Sequence, residues 1–188
     1  MAQVAGESLI VLRDQSRELR AFFNVCRHRG TRLCEGSRGT LSETIQCPYH
    51  AWTYRLDGQL IGAPHMSEAE GFDKRDYPLH AVKIGSWEGF LFVNLAPGPV
   101  SFDDAFATLV GRFARFNLSS LRTVRRIEYD VQANWKLILQ NYNECLHCPR
   151  IHPELTTKLP YTSGANDLVD GPFLGGYMGI KQTNESAT

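Results

Sequence analysis

The sequence predicts an α+β protein, an antiparallel β domain followed by the opening of a mixed helix and strand region. Three observations predict it. Short apolar runs separated by turn pairs fill the first 95 residues, Ala96-Pro97-Gly98-Pro99 then interrupts the chain, and helical spacing of apolar residues begins only beyond it. The boundaries that follow are 1–97 for the β domain, 98–120 for a linker and helix, and 121–188 for the start of a second domain.

Ser8 to Asp14 reads as a strand, and Leu19 to Val25 as its hairpin partner across a polar Gln15-Ser16-Arg17 turn. Thr44 to Gln46 is a short strand leading into Cys47. Ala51 to Leu60 is a second hairpin turned at Asp57-Gly58, a pair suited to tight hairpin turns. Tyr77 to Ile84 and Gly89 to Leu95 are two further strands around Ser86-Trp87-Glu88. Past the linker, Ser101 can cap a helix with Asp104 at the capping-box position, and Phe102, Phe106, Leu109, Val110 and Phe113 recur at helical spacing. Thr123 to Val131 is strand-like. Asn134 can cap a helix with Trp135, Ile138, Leu139 and Tyr142 on one stripe, and Pro149, lacking an N–H, should end or kink it. After Pro160 the chain reads as Gly-, Asn- and Asp-rich loop.

Composition excludes several classes. The 188 residues carry 20 Lys+Arg against 20 Asp+Glu, so no bulk positive charge is available to hold nucleic acid or an anionic membrane. Apolar residues make up 43%, enough for a core. No apolar run approaches the ~20 residues of a membrane span. The opening MAQVAGESLIVLRD has no basic region before its apolar run, so the expectation is a cytoplasmic chain with no secretory signal. Five cysteines, an odd number in such a chain, favour reduced thiols used for metal ligation or chemistry over a disulfide scaffold.

Cys26-Arg27-His28 and Cys47-Pro48-Tyr49-His50 are two Cys/His pairs separated by 18 residues, each just after a predicted strand. Two thiolates and two imidazoles can hold a tetrahedral zinc or a binuclear iron–sulfur cluster. Zinc fingers usually pair like ligands, whereas here each loop offers one of each kind. That suits a two-iron cluster with both cysteines on one iron and both histidines on the other.

CRHRG followed by CPYHAWTYRLDGQL resembles the Rieske [2Fe–2S] domain of the ring-hydroxylating, or Rieske non-haem iron, oxygenases. The resemblance runs over nearly the whole chain. It implies that Cys26 and Cys47 bind one iron of the cluster and His28 and His50 the other. High-potential Rieske proteins carry an extra disulfide-bonded cysteine in each loop. Tyr49 stands at that position here, which fits the lower-potential oxygenase type and leaves Cys34 as a small buried hydrophobe. Arg27, Arg29 and Arg32 can dock an acidic electron donor or a neighbouring subunit, or simply form a solvated basic loop. Trp52 can shield the cluster or serve the core.

A second constellation, Glu144-x2-His147-x4-His152, follows downstream. Glu144 and His147 would share a helix face, with Gln140 a turn back. The break at Pro149 would let His152 swing toward His147. Two imidazoles beside carboxylates begin a 2-His-1-carboxylate site for Fe(II). The segment resembles the same family's mononuclear-iron motif. By that match His147 and His152 are iron ligands, and Glu144 is the bridging carboxylate that links an iron-bound histidine to a cluster histidine of the neighbouring subunit. Glu in an NECxHC context is similar to the quaternary-ammonium members, the choline, carnitine and glycine-betaine oxygenases. Cys145 and Cys148 match half a zinc ribbon with no second CxxC, and are expected to pack or to face the pocket. His65 and His80 match no motif position.

The resemblance implies the oxygenase (α) component of such a system, with a helix-grip-like catalytic domain begun but truncated. Its third ligand, a downstream carboxylate, has no match; Asp167 and Asp170 qualify by composition only. The implied cofactors are a [2Fe–2S] Rieske cluster and mononuclear Fe(II). The implied partners are an NAD(P)H-dependent reductase, a ferredoxin, O2 and a small-molecule substrate, in a head-to-tail homotrimer or with a beta subunit. The implied reaction is hydroxylation of an aromatic ring, as in aromatic-hydrocarbon catabolism, or of a C–H bond leading to demethylation. The rivals are a Rieske electron carrier without oxygenation and a zinc-stabilised interaction module. The truncated domain should leave apolar helix faces uncovered.

Overall fold

A computed structural model describes residues 1–168, 170, 171, 173 and 175–181. The chain separates into two compact units, Met1–Asp104 with Asn117–Ser119, and Ala105–Phe116 with the chain from Ser120 onward.

The first unit holds β1 (Ala2–Val4), β2 (Glu7–Arg13), β3 (Leu19–Phe23), β4 (Thr44–Gln46), β5 (Thr53–Arg55), β6 (Leu60–Gly62), β7 (Ala81–Trp87) and β8 (Phe90–Asn94). They form a five-stranded sheet in the order β1-β2-β3-β7-β8 and a three-stranded sheet β4-β5-β6, antiparallel throughout. β2 and β3 pair Leu9 with Phe23, Ile10 with Phe22 and Val11 with Ala21. Side chains alternate faces along a strand, so this register gives the sheet an apolar surface on each side. Leu9, Ala21 and Val82 are buried in one cluster, and Ile10 and Phe22 join Ile45, Trp52, Tyr54 and Leu60 in the other. Each such large side chain contributes about 1.5–3 kcal/mol by leaving water. A one-residue slip, which exchanges the faces, is therefore strongly disfavoured.

Both predicted hairpin turns form. Asp14 Oδ1 accepts the N–H groups of Ser16 and Glu18, each at 2.9 Å. At the Asp57-Gly58 turn Gly58 has φ +92°, and a Cβ there would stand 2.5 Å from the Phe22 ring, so glycine is required. Two features differ from the sequence pattern. β1 is an added edge strand, reached through Ala5 and Gly6 at φ +50° and +85°. β7 begins at Ala81 rather than at Tyr77, runs on through Trp87 and turns at Glu88-Gly89, with φ +48° and +88°. Two-residue turns with positive φ at both positions match the twist of the flanking strands, so the turn sits later than Ser86-Trp87-Glu88.

The linker helix is shorter than its spacing predicts. Ser101 Oγ accepts the Asp104 N–H at 3.1 Å, as a cap should, but α1 covers only Phe102–Ala105 and gives way to a 3-10 turn at Ala107–Leu109. Aromatic and β-branched residues lose side-chain freedom in a helix, and Gly111 at φ +81° stops its continuation. Thr123–Val131 forms no strand among the described residues, having no ladder partner there. Asn134 caps α2 (Trp135–Tyr142) by accepting the Lys136 N–H at 2.9 Å. α2 stops at Tyr142 and buries none of its side chains, with Trp135 64% and Ile138 46% exposed. α3 (Cys148–Ile151) and α4 (Pro153–Lys158) follow. β9 (Ala165–Asp167) and β10 (Gly175–Tyr177) then pair as a hairpin where the sequence reads only as loop. Small and polar residues are weak strand formers, so these two strands left no pattern. No helix among the described residues is long and apolar enough to cross a membrane.

Candidate metal centres

The two Cys/His loops of the first unit are built alike. In each, the cysteine carbonyl accepts the N–H four residues on, from Gly30 at 3.0 Å and Ala51 at 3.1 Å. The cysteine N–H in turn donates to the carbonyl five residues on, of Thr31 and Trp52, both at 2.8 Å. The fourth position is left-handed in both loops, Gly30 at φ +73° and Ala51 at φ +56°. Holding a residue other than glycine in that region costs on the order of 1 kcal/mol, and here the closed loop sets it.

These closures gather the four predicted residues into like pairs. The Cys26 and Cys47 thiols are both buried, 2% and 3% exposed, in one core cluster. The His28 and His50 rings meet edge to face with centroids 4.8 Å apart. His28 also stacks on Trp52 at 4.8 Å with the planes 7° apart, which leaves His50 the exposed member. The fully buried Tyr54 hydroxyl lies 3.3 Å from Cys26 Sγ and accepts the Arg27 N–H at 3.1 Å.

Burial pushes the Cys26 thiol up, opposed by its contact with Tyr54. Burial, followed by the charges of His50 and Arg29, pushes His28 down. Burial also raises Tyr54 and keeps its hydroxyl a donor. A neutral imidazole is the form that ligates metal, and a bound cation reverses the thiol's preference. Two buried thiols on one side and two imidazoles on the other fit a two-iron group.

Asn24 escaped the sequence reading, its only trace being one polar residue inside an apolar run. It is 6% exposed. Its Oδ1 accepts the N–H groups of Leu33 at 3.0 Å and Cys34 at 2.9 Å, and its Nδ2 donates to the Cys34 carbonyl at 2.7 Å. It pins the return of the first loop to the end of β3. Asn24→Ala leaves these buried groups unpaired, at about 1–3 kcal/mol each in the worst case. The expected loss is about 3 kcal/mol, seen as a lower denaturant midpoint at constant slope. A midpoint within error of the parent would remove the clamp.

Of the three arginines near the first loop, Arg27 folds onto its own unit, reaching the Pro78 carbonyl at 3.3 Å and the Tyr77 ring at 5.9 Å. Arg29 and Arg32 are exposed. Cys34 is a half-buried free thiol that burial pushes up, in keeping with a small apolar residue.

Glu144, His147 and His152 lie beyond α2 rather than on it, so a tight turn replaces the expected helical face. Glu144 Oε2 accepts the Leu146 N–H at 2.8 Å, and its Oε1 meets His147 Nδ1 at 2.5 Å. The His147 contact, then the Leu146 N–H, hold the Glu144 carboxyl below its usual range. Pro149 does not break α2; it sits in the first turn of α3, where its missing N–H costs little. α3 closes with the His152 N–H on the Cys148 carbonyl at 2.8 Å. The His147 and His152 rings come to 5.5 Å between centroids, the approach that the sequence predicts.

The cysteines here depart from expectation. Cys145 and Cys148 are joined in a disulfide. The turn sets their Cα atoms 4.9 Å apart, inside the range of about 4.4–6.8 Å that a disulfide spans. Asp167 is paired with Arg112. Among the described residues, no group of three or more His, Cys, Asp or Glu has single-ion geometry. Ligands split two and two over a pair of irons satisfy no such criterion, and His147 with His152 make only two.

Comparison with known proteins places these features. The Rieske [2Fe-2S] domain family matches residues 1–82, and the ring hydroxylating alpha subunit (catalytic domain) family matches residues 118–187. The first implies a [2Fe–2S] cluster and the second a mononuclear iron. The chain is 41% identical over 157 residues to the glycine betaine monooxygenase oxygenase subunit of Chromohalobacter salexigens, covering 84% of this chain and 35% of that protein. It is 39% identical over 156 residues to the carnitine monooxygenase oxygenase subunit of Acinetobacter baumannii, covering 80% and 41%. Among solved structures it matches a quaternary ammonium Rieske monooxygenase, described for carnitine oxidation and inter-subunit electron transfer, with TM-score 0.74, 34% identity and coverage of 89% of this chain and 46% of that one. The chain thus spans between a third and a half of the length of these relatives. With both domain families matched in order along one sequence, the chain belongs to the Rieske non-haem iron oxygenases.

Proposed function

We propose that the protein is the oxygenase component of a Rieske monooxygenase that hydroxylates a C–H bond of a small quaternary ammonium compound. Residues 1–97 serve as the Rieske domain, 98–120 as the connection, and 121–188 as the first part of the catalytic domain. Cys26 and Cys47 hold one iron of the cluster, His28 and His50 the other, and His147 and His152 hold the mononuclear Fe(II). The single observation that carries this is the arrangement of the twin loops, two buried thiols in one core cluster and two imidazoles in contact. The meeting of Glu144, His147 and His152 is what a plain electron carrier has no use for. The substrate class rests on the relatives named for glycine betaine and carnitine. They lend no support to the expected role in aromatic-hydrocarbon catabolism.

The mononuclear iron, when bound, supplies O2 activation. The chain's own residues do the arranging. Glu144 takes His147 Nδ1, which fixes the tautomer and leaves Nε2 as the ligating nitrogen. His50, the exposed cluster histidine, is the one a neighbouring subunit's Glu144 can reach, in a head-to-tail homotrimer. A cytoplasmic NAD(P)H-dependent reductase, directly or through a ferredoxin, is the electron source, with exposed Arg29 and Arg32 available to an acidic donor.

Reductase-driven O2 uptake by the intact protein tests the proposal, with glycine betaine, carnitine and choline offered against naphthalene. Stimulation by a quaternary ammonium compound supports it. Stimulation only by the aromatic compound overturns the substrate class, and none with any compound overturns the oxygenase assignment.

Tyr54 tunes the cluster. A donor to the Cys26 sulfur stabilises the added electron, and a hydrogen bond to a charged group contributes about 1.5–3 kcal/mol. If about half of that separates the two redox states, Tyr54→Phe lowers the reduction potential by on the order of 50 mV. Redox titration followed by paramagnetic resonance measures it, and an unchanged midpoint removes the hydroxyl from that role.

A further inference from the structure

We infer that Cys145 and Cys148 form a redox-modification site, a dithiol that hydrogen peroxide closes and a thiol reductant reopens, and that its closed form sets the geometry of the His147–His152 pair. The second half rests on His147 and His152 being iron ligands; the first half does not.

The disulfide spans the turn that carries His147. The Cys148 N–H donates to the Cys145 carbonyl at 3.0 Å across the same turn, so backbone and sulfur close it together. Glu144, which orients His147, is the residue before Cys145. The His152 N–H hangs on the Cys148 carbonyl at 2.8 Å. All three residues of the candidate iron site are therefore tied to one or other end of the sulfur bridge. Opening it leaves the turn held by that backbone hydrogen bond and the Glu144 carboxylate alone, and the two imidazoles lose part of their fixed separation.

The chemistry is ordinary. Cys148 is 3% exposed and Cys145 half-buried, so a reagent in solution meets the Cys145 sulfur first. A Cys145 thiol and hydrogen peroxide give the sulfenic acid and one water, with sulfur oxidised and peroxide reduced. The Cys148 thiol then displaces that hydroxyl as a second water and forms the S–S bond. The return takes two electrons from two external thiols, which leave as their own disulfide. In a reducing compartment, cysteines joined this way are usually transient and redox-sensing rather than structural.

The test takes the protein with its cluster loaded and its mononuclear site emptied, treated with stoichiometric hydrogen peroxide or with dithiothreitol. Differential alkylation and mass spectrometry should show the Cys145–Cys148 peptide two hydrogens lighter and unalkylated after peroxide, and doubly alkylated after reduction, with Cys34 alkylated in both. Double alkylation of that peptide after peroxide, or a bridge to Cys34, overturns the site. Co(II) titrated into the two forms should bind about tenfold more tightly to the closed one, a comparison that needs no variant. Equal affinity overturns the coupling. Cys145→Ser/Cys148→Ser should bind at the reduced value with or without peroxide, and a peroxide response in it also overturns the coupling. His147→Ala reports separately: undiminished Co(II) binding sinks the ligand assignment and leaves the thiol result standing.

Discussion

Cys47→Ser yields a protein that holds no [2Fe–2S] cluster. The serine hydroxyl has nearly the shape of the thiol but is a harder donor that does not ionise near neutral pH, so it fails as a ligand to iron with bridging sulfide. Position 47 is 3% exposed, which leaves no room for water to stand in for the lost donor. The fold has little reason to follow, because serine nearly keeps the thiol's volume in the buried cluster that Cys47 shares with Ile45, Trp52 and Tyr54. Iron and acid-labile sulfide after anaerobic reconstitution should drop at least about tenfold. The rhombic paramagnetic signal after dithionite should vanish, and far-ultraviolet circular dichroism should match the parent. A variant that kept the signal would take Cys47 out of the ligand set and the twin-loop assignment with it.

Glu144→Ala stops turnover and leaves that cluster signal in place. Each carboxylate oxygen has a task within its own chain, one on His147 Nδ1 at 2.5 Å and one on the Leu146 N–H at 2.8 Å. Removing the carboxylate frees the imidazole to rotate and to change tautomer. Loss of such an orienting partner costs about 10–100-fold in metal affinity or activity. Loss of the link between subunits comes on top, so the expected fall in O2 uptake is at least about a hundredfold. Restoring saturating Fe(II) separates the two contributions, since it repairs weak binding but not a broken path between chains. Normal turnover in this variant would end the bridging role.

The first centre was largely legible in the sequence, and the second only in part. Two loops that each close on their own backbone need little from afar, so CRHRG and CPYHAW carry their turns within five or six residues, with the Tyr54 hydroxyl on the Arg27 N–H the distant exception. The Asp57-Gly58 turn is legible for the same reason: its side-chain cap and its positive φ are local demands. The end of α2 is not. The apolar stripe continues the helical pattern to Tyr142, and nothing in it shows that Glu144 will spend an oxygen on the Leu146 N–H instead of continuing the helix. The disulfide was missed because five cysteines, an odd number, read as free thiols rather than a disulfide scaffold, while the turn brings the two Cα atoms to 4.9 Å. Asn24 was missed because its partners, Leu33 and Cys34, lie nine and ten residues away, in a stretch with no regular period.

Gly30 and Ala51 occupy equivalent left-handed positions in two loops that share one closure. Because that closure runs between each loop's own peptide groups, with the Tyr54 hydroxyl on the Arg27 N–H as an added hold on the first, each turn is specified within six residues and is inherited as a short unit.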